Sequence, residues 1–349
     1  MRRIAALVAA LLIAAPPVGA GHSGPIGEFA AWKAGLSASD SRALEAGAAV
    51  IRDLDTPVRE ELAYVGMVYV DAPSDRFIVR FRDIVQFERG PGVPQIGRFG
   101  NPARLEDLES LTLPAADVTA LATCRPGRCD MKLSATAMRQ FQDEVNWSSP
   151  NAVHQANALI REMILDLVRR YQVDGNAALG RYDDGDDPLL VAEQFRAILA
   201  SRDHLPVAVP ALFAYLDDYP RGRPAGAHDF FYWTVVDFGL KRTVRVNHVT
   251  IYPLAPGTPA STAYVIAIEQ LYASHYFHTT LELRFLADDD GPSGEPRTLL
   301  VSITRSRSDG MTGFKGLFLR PAISRRSREA VRGYLEHVKQ QVERPAETQ

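Results

Sequence analysis

Two short polar clusters hold the residue types from which chemistry can be assembled. One is Ser274-His275-Tyr276-Phe277-His278, and the other is Arg305-Ser306-Arg307-Ser308-Asp309. A histidine oriented by a carboxylate can act as general base toward a serine. His275 with Asp309, and Ser306 or Ser308 as nucleophile, is therefore a candidate hydrolase-type set, although no nucleophile-elbow motif accompanies it. His275 and His278 make a weak metal pair, since residues three apart on a strand point to opposite faces. No metal and no cofactor is expected. The plainer readings are an arginine and an aspartate bracing a turn, and His275 hydrogen-bonded in a half-buried strand.

These clusters meet only if the elements carrying them are neighbours. Four segments rich in β-branched and aromatic residues surround them: 229–238, 243–252, 263–286 and 297–305. Leu281, Leu283 and Phe285 alternate with Glu282 and Arg284, and Leu299, Val301 and Ile303 alternate with Leu300, Ser302 and Thr304. This is the period of antiparallel strands with one wet side. Paired antiparallel, the last two would bring both clusters to one end of a sheet. The linking segment 287–296 has turn composition but is long for a hairpin. Strand parity alone leaves open which way His248 and Glu269 face.

A long helix closes the chain, starting near Pro321 or Ser324 and running to Glu343. Val331, Leu335, Val338 and Val342 form its apolar stripe, flanked by Ile323 and Tyr334. That stripe requires cover, and the preceding sheet is the nearest apolar surface.

Composition narrows the function classes. Arg2 and Arg3, an apolar run to Ala15 and the small-residue ending Val18-Gly19-Ala20 predict a signal peptide over residues 1–20, cleaved after Ala20. The expected localisation is periplasmic or secreted, and residues 21–349 are read as one domain. Cys124 and Cys129 enclose Arg125-Pro126-Gly127-Arg128, and in an oxidising compartment they are expected to form a disulfide. The formal charge of −3 becomes −5 without Arg2 and Arg3, which gives no basic signature for nucleic acid. From Arg305 to Arg332, however, eight Arg or Lys stand against Asp309 and Glu329. Such a rim either is a solvated face or meets an anionic headgroup, ligand or membrane surface.

Earlier in the chain, residues 28–54 read as one or two helices, with Phe29, Trp32, Leu36 and Ile51 among the buried positions. Segment 63–70 reads as a strand, 75–88 as a helix, 95–99 as at most a short strand, and 117–123 and 130–133 as strands. A helical block over 135–219 interrupts the β pattern and is taken as an insertion. Its acidic loop, 183–187, lacks the ligand spacing of a calcium loop and reads as solvated.

Strand, helix, strands, a run of antiparallel strands and one long terminal helix resemble the helix-grip fold of the START-like (Bet v 1-like) superfamily. The resemblance covers roughly 63–133 and 229–343. It implies an α+β fold in which a curved antiparallel sheet grips the C-terminal helix, with an apolar small molecule or lipid in a cavity between them. The resemblance transfers no site residues; the aromatic load of the strands and the polar clusters near one sheet end suggest that Trp233, Tyr272 and Tyr276 line the interior with His275, and that Arg305 and Arg307 hold a polar head. The alternatives are the hydrolase set and a non-catalytic interaction protein docking through its basic terminal helix.

Overall fold

The structure, a computed structural model, describes residues 36–56, 58–90, 92–200, 209–237, 241–254, 262–309 and 313–345, with backbone alone at 262, 263 and 313–323. The expected leader, Phe29, Trp32 and the side chain of Ile323 lie outside this description. The strands are β1 (Val50–Asp53), β2 (Glu61–Val70), β3 (Gln95–Arg98), β4 (Arg181–Tyr182), β5 (Leu189–Leu190), β6 (His228–Val236), β7 (Thr243–Pro253), β8 (Thr262–Ala273), β9 (Phe277–Asp290) and β10 (Pro296–Ser308). All but β4 and β5, which pair with each other, join one sheet in the order β1-β2-β10-β9-β8-β7-β6-β3, antiparallel throughout. The first long strand thus lies beside the last.

Both faces of the sheet are covered, so its strands are apolar on both sides. One face, called inner here, carries α2 (Ser74–Arg82), α3 (Ile84–Glu88) and the C-terminal α9 (Gly313–Glu343). Phe77, Phe81 and Phe87 pack there against Phe230, Val249, Ile268, Leu286 and Leu300, and Phe81 meets Phe87 edge-on at 5.2 Å. The helical stripe Leu335, Val338 and Val342 is fully buried in the same cluster. The outer face carries α4 (Ala115–Leu121), α5 (Ala135–Glu144), α6 (Ala152–Asp174), α7 (Val191–Leu199) and α8 (Pro210–Asp217). Ile160, Ile164, Val168 and Tyr171 recur along α6 at helical spacing and meet Val246, Leu271 and Phe285 in one outer core. A shorter helix, α1 (Ala38–Glu45), precedes β1 and is opened by a Ser37–Asp40 capping box.

Gly66 of β2 is where α9 approaches most closely. A Cβ there would stand 2.7 Å from Leu335 Cδ1 and 3.2 Å from Val331 Cγ1. Gly66→Val is therefore expected to lift the helix and cost roughly 1–3 kcal/mol by overpacking, read as a lower midpoint in urea with an unchanged slope.

Several local expectations are corrected. Residues 117–121 form helix and 122–123 a turn, not a strand: Val118 and Leu121 fall on one buried face of α4. Segment 130–133 is not a strand, and Ile51 lies in β1 rather than on a helix. β9 runs to Asp290 and β10 to Ser308, so Arg305–Ser308 are strand residues and not a turn. The acidic loop is only partly solvated: Asp183 is buried, accepting from the Ala135 N–H at 2.8 Å at the start of α5, while Asp184 pairs with Lys132. Cys124 and Cys129 are disulfide-bonded around a turn in which Gly127 has φ +75°. Among the described residues no helix is long and apolar enough to cross a membrane.

Candidate functional site

The residues expected to act together are parted by strand parity. Trp233 points to the outer face, its ring against Gly97 and its Nε1 donating to the Asp107 carbonyl at 2.8 Å. Tyr272 also joins the outer core, edge-on to Tyr182. Arg305 forms a buried ion pair with Glu61, and Arg307 donates to Gln194 Oε1 at 2.7 Å; both lie on the face opposite α9. Tyr276, at φ 62°, sits in the β8–β9 turn, and its hydroxyl accepts from the Lys241 N–H. None of these side chains lines the space between the sheet and the terminal helix. The inner partners are the alternate residues, Phe230 and Tyr232.

The hydrolase set is likewise not assembled. Asp309 faces His278 Nε2 at 2.6 Å and Lys132 at 2.5 Å, not His275. Burial raises the Asp309 carboxyl, but the His278 bond and the Lys132 charge outweigh it and hold it below the usual carboxylate range. His275 is buried, with Nε2 3.0 Å from the Asp117 carboxylate and Nδ1 2.8 Å from the Asp130 carbonyl. Both ring nitrogens are thus occupied, and the pair ties α4 to the sheet.

What the inner face does hold is a polar band in an otherwise apolar layer. Tyr232, Asn247 and Gln270 are register partners on β6, β7 and β8. Arg245 donates to Gln270 Oε1 at 2.8 Å. On β9, Arg284 donates to Glu282 at 2.7 Å, and Ser302 of β10 donates to the same carboxylate oxygen at 2.8 Å. Glu88 of α3 approaches Arg284 at 3.6 Å and accepts from the Tyr334 hydroxyl of α9. The Arg284 guanidinium lies 4.9 Å from the Tyr334 ring and 5.3 Å from that of Phe81. Burial pushes the Glu282 carboxyl up, yet Arg284 and the Ser302 bond bring it below its ordinary value. Burial works against charge on Arg284 too, and the Glu282 charge more than reverses it. The pair is ionised.

Two further features describe this band. Asn247 Oδ1 and Nδ2, Gln270 Nε2 and Arg284 Nη1 are buried without a hydrogen-bond partner, and each such atom costs roughly 1–3 kcal/mol. Furthermore, Glu282 keeps 20% of its side-chain exposure in the middle of an eight-stranded sheet, and its register partner Thr304 is also partly accessible. Solvent therefore touches the band at Glu282 and Thr304, while Asn247, Gln270 and Arg284 are buried. The donors outnumber the acceptor there, three to one.

A second buried network, on the outer face, joins His248 and Glu269. Asp229 Oδ1 faces His248 Nε2 at 3.0 Å and accepts from Thr250; its Oδ2 accepts from Tyr215 at 2.7 Å. Tyr171 of α6 donates to Glu269 Oε2 at 2.9 Å. Tyr171, Tyr219 and Phe231 ring the imidazole, leaving no approach for a substrate. This network joins α6 and α8 to the sheet.

Among the described residues no group of three or more His, Cys, Asp or Glu is arranged to hold a metal ion. In comparison with known proteins, no family model and no curated protein matches the sequence, so the functional reading rests on the geometry above.

Proposed function

We propose that this chain is an exported binding protein that holds a small molecule or lipid between its sheet and its terminal helix, in the manner of the helix-grip fold of the START-like superfamily. The carrying observation is the polar band on the inner face, in which Asn247, Gln270 and Arg284 present unpaired buried atoms and Glu282 keeps some exposure. Chain topology supports the comparison: β2 returns to pair with β10, and α9 shares its face with α2 and α3. The helices between β3 and β6, on this reading, are an insertion that covers the outer face and leaves the inner one to the ligand. The disulfide supports export.

The ligand's polar part would sit on the three N–H donors and so be rich in acceptors, such as a carbonyl, ester or carboxylate oxygen. Its apolar part would lie along Phe81, Phe87, Val249 and Ile268. This places the head at Asn247 and Arg284 rather than at Arg305 and Arg307.

The test is purification without detergent from a secreting host, followed by solvent extraction and mass spectrometry. A near-stoichiometric small molecule is expected from the wild type, and its loss is expected from Asn247→Leu with an unchanged far-UV spectrum. No extractable compound, together with a crystal structure in which the polar band is closed, would overturn the reading.

A further inference from the structure

A groove of about 350 Å³ runs between β1, which contributes Arg52 and Asp53, and α9, which contributes Arg325, Arg328, Glu329 and Arg332. The polar band lies on the other flank of α9, where Tyr334 meets Glu88 and the Arg284 guanidinium, and β2 and β10 separate β1 from β9. The groove is thus a separate place on the molecule. Arg325, Arg328 and Arg332, at i, i+3 and i+7, share one side of the helix, and like charges at such spacing repel. Arg328 is offset by Asp53, which Ser324 Oγ also approaches at 3.4 Å, and Arg52 is offset by Asp40. Arg325 and Arg332 are exposed and make no ion pair among the described residues. Glu329 stands four positions after the one and three before the other, yet it is exposed and pairs with neither. Two uncompensated guanidinium groups therefore overlook a concave surface whose remaining cations are already tied.

We infer that this groove binds an anion with two phosphoryl centres, held by Arg325 and Arg332 with Arg328 fixed between them. Seven residues separate the two arginines, roughly 10 Å along the axis at ~1.5 Å per residue. Each guanidinium offers a rigid fork that matches phosphate oxygens, so this separation suits a diphosphate better than a single phosphate. A diphosphate also carries more charge at each centre than a dicarboxylate, which counts where Asp53 and Glu329 stand close by. A flat anionic surface would touch the exposed arginines without filling the groove. Among the described residues, none of the exposed large apolar side chains lies on β1 or α9 to enter a bilayer. The same two-phosphate chemistry occurs in soluble diphosphates and in a lipid headgroup that bears two phosphates, and the experiment separates these sources.

The full chain is titrated with pyrophosphate by isothermal titration calorimetry at constant ionic strength, with succinate as the competing dianion. Pyrophosphate should bind saturably and raise the thermal midpoint of the wild type. The double variant R325Q/R332Q should weaken binding by about tenfold or more and lose the midpoint rise, and succinate should bind the wild type more weakly by a similar factor. Without anion the variant should melt no lower than the wild type, since it removes like charges and no ion pair. Absence of saturable pyrophosphate binding, equal affinity for succinate, or indifference to R325Q/R332Q would each overturn the proposal. Co-sedimentation with phosphatidylcholine vesicles containing cardiolipin, whose headgroup bears two phosphates, identifies the source. Capture that pyrophosphate competes away assigns the groove to that headgroup, and saturable pyrophosphate binding without capture assigns it to a soluble diphosphate. Capture that persists in R325Q/R332Q, with no pyrophosphate binding, would overturn the assignment to this groove.

Discussion

Glu282→Leu is expected to destabilise the protein by about 3 kcal/mol, at the lower end of what removing one partner of a buried ion pair costs. Arg284, only 2% exposed, would keep its charge with Glu88 at 3.6 Å as its remaining counter-ion. The cost falls at the lower end because Glu282 itself retains some contact with solvent. Arg284→Met should also be destabilising, since it strands Glu282 and Glu88 together. The double variant E282L/R284M removes the Glu282–Arg284 pair and the unpaired Nη1 but leaves Glu88 with only its bond from the Tyr334 hydroxyl, so it should recover most of the Glu282→Leu loss without exceeding the wild type. Urea denaturation of the four proteins measures the coupling. The same cycle separates stability from function: the double variant should be well folded yet release the extractable compound, because it lacks a donor that the compound uses. If it folded stably and still carried its ligand at full stoichiometry, Arg284 would be a packing residue and the binding site would have to lie elsewhere.

The two faces of the sheet were unequally legible in the sequence. Alternation in 281–285 and 299–304 revealed β9 and β10, and the stripe from Val331 to Val342 revealed α9, because those periods persist over several turns or pleats. Residues 117–123 misled because Val118, Thr119 and Thr123 favour strands, whereas packing of Val118 and Leu121 and the Asp117–His275 contact decide for helix. Alternation also marked Glu282, Arg284 and Ser302 as one face, but a wet face and a roofed polar one look alike until the roof is known. Asn247 and Gln270 left a signal of another kind, an amide inside an apolar strand. Their facing was lost at the irregularity between Val246 and Asn247, opposite which Val246 pairs with Tyr272 and Asn247 with Gln270. Leu271 is the extra residue, so Leu271 and Tyr272 both reach the outer core and parity counted from Tyr272 assigns the wrong side. The contact of His275 with Asp117 spans 158 positions, and nothing local announces it.

Glu269→Gln should make the protein markedly more stable in alkali while changing it little in acid. Burial pushes the Glu269 carboxyl up to about 8, and the Tyr171 hydrogen bond counters only part of that. A carboxyl whose value is raised on folding binds its proton more tightly in the native state. Its contribution is complete below the unfolded value of 4.5 and is lost as pH climbs through the folded one. Over that window the wild type should lose roughly 1.4 kcal/mol of stability per pH unit from this group. Glutamine has the shape of the protonated acid and nothing to ionise, so the two unfolding free energies should nearly coincide at pH 4 and separate by several kcal/mol at pH 9. Because Tyr171 carries the bond from α6, the wild type's loss should appear first as faster amide exchange in α6, with α9 on the inner face protected longer. Parallel stability curves for the two proteins from pH 4 to 9 would mean that Glu269 ionises freely in the native state. The outer network would then be hydrated rather than dry.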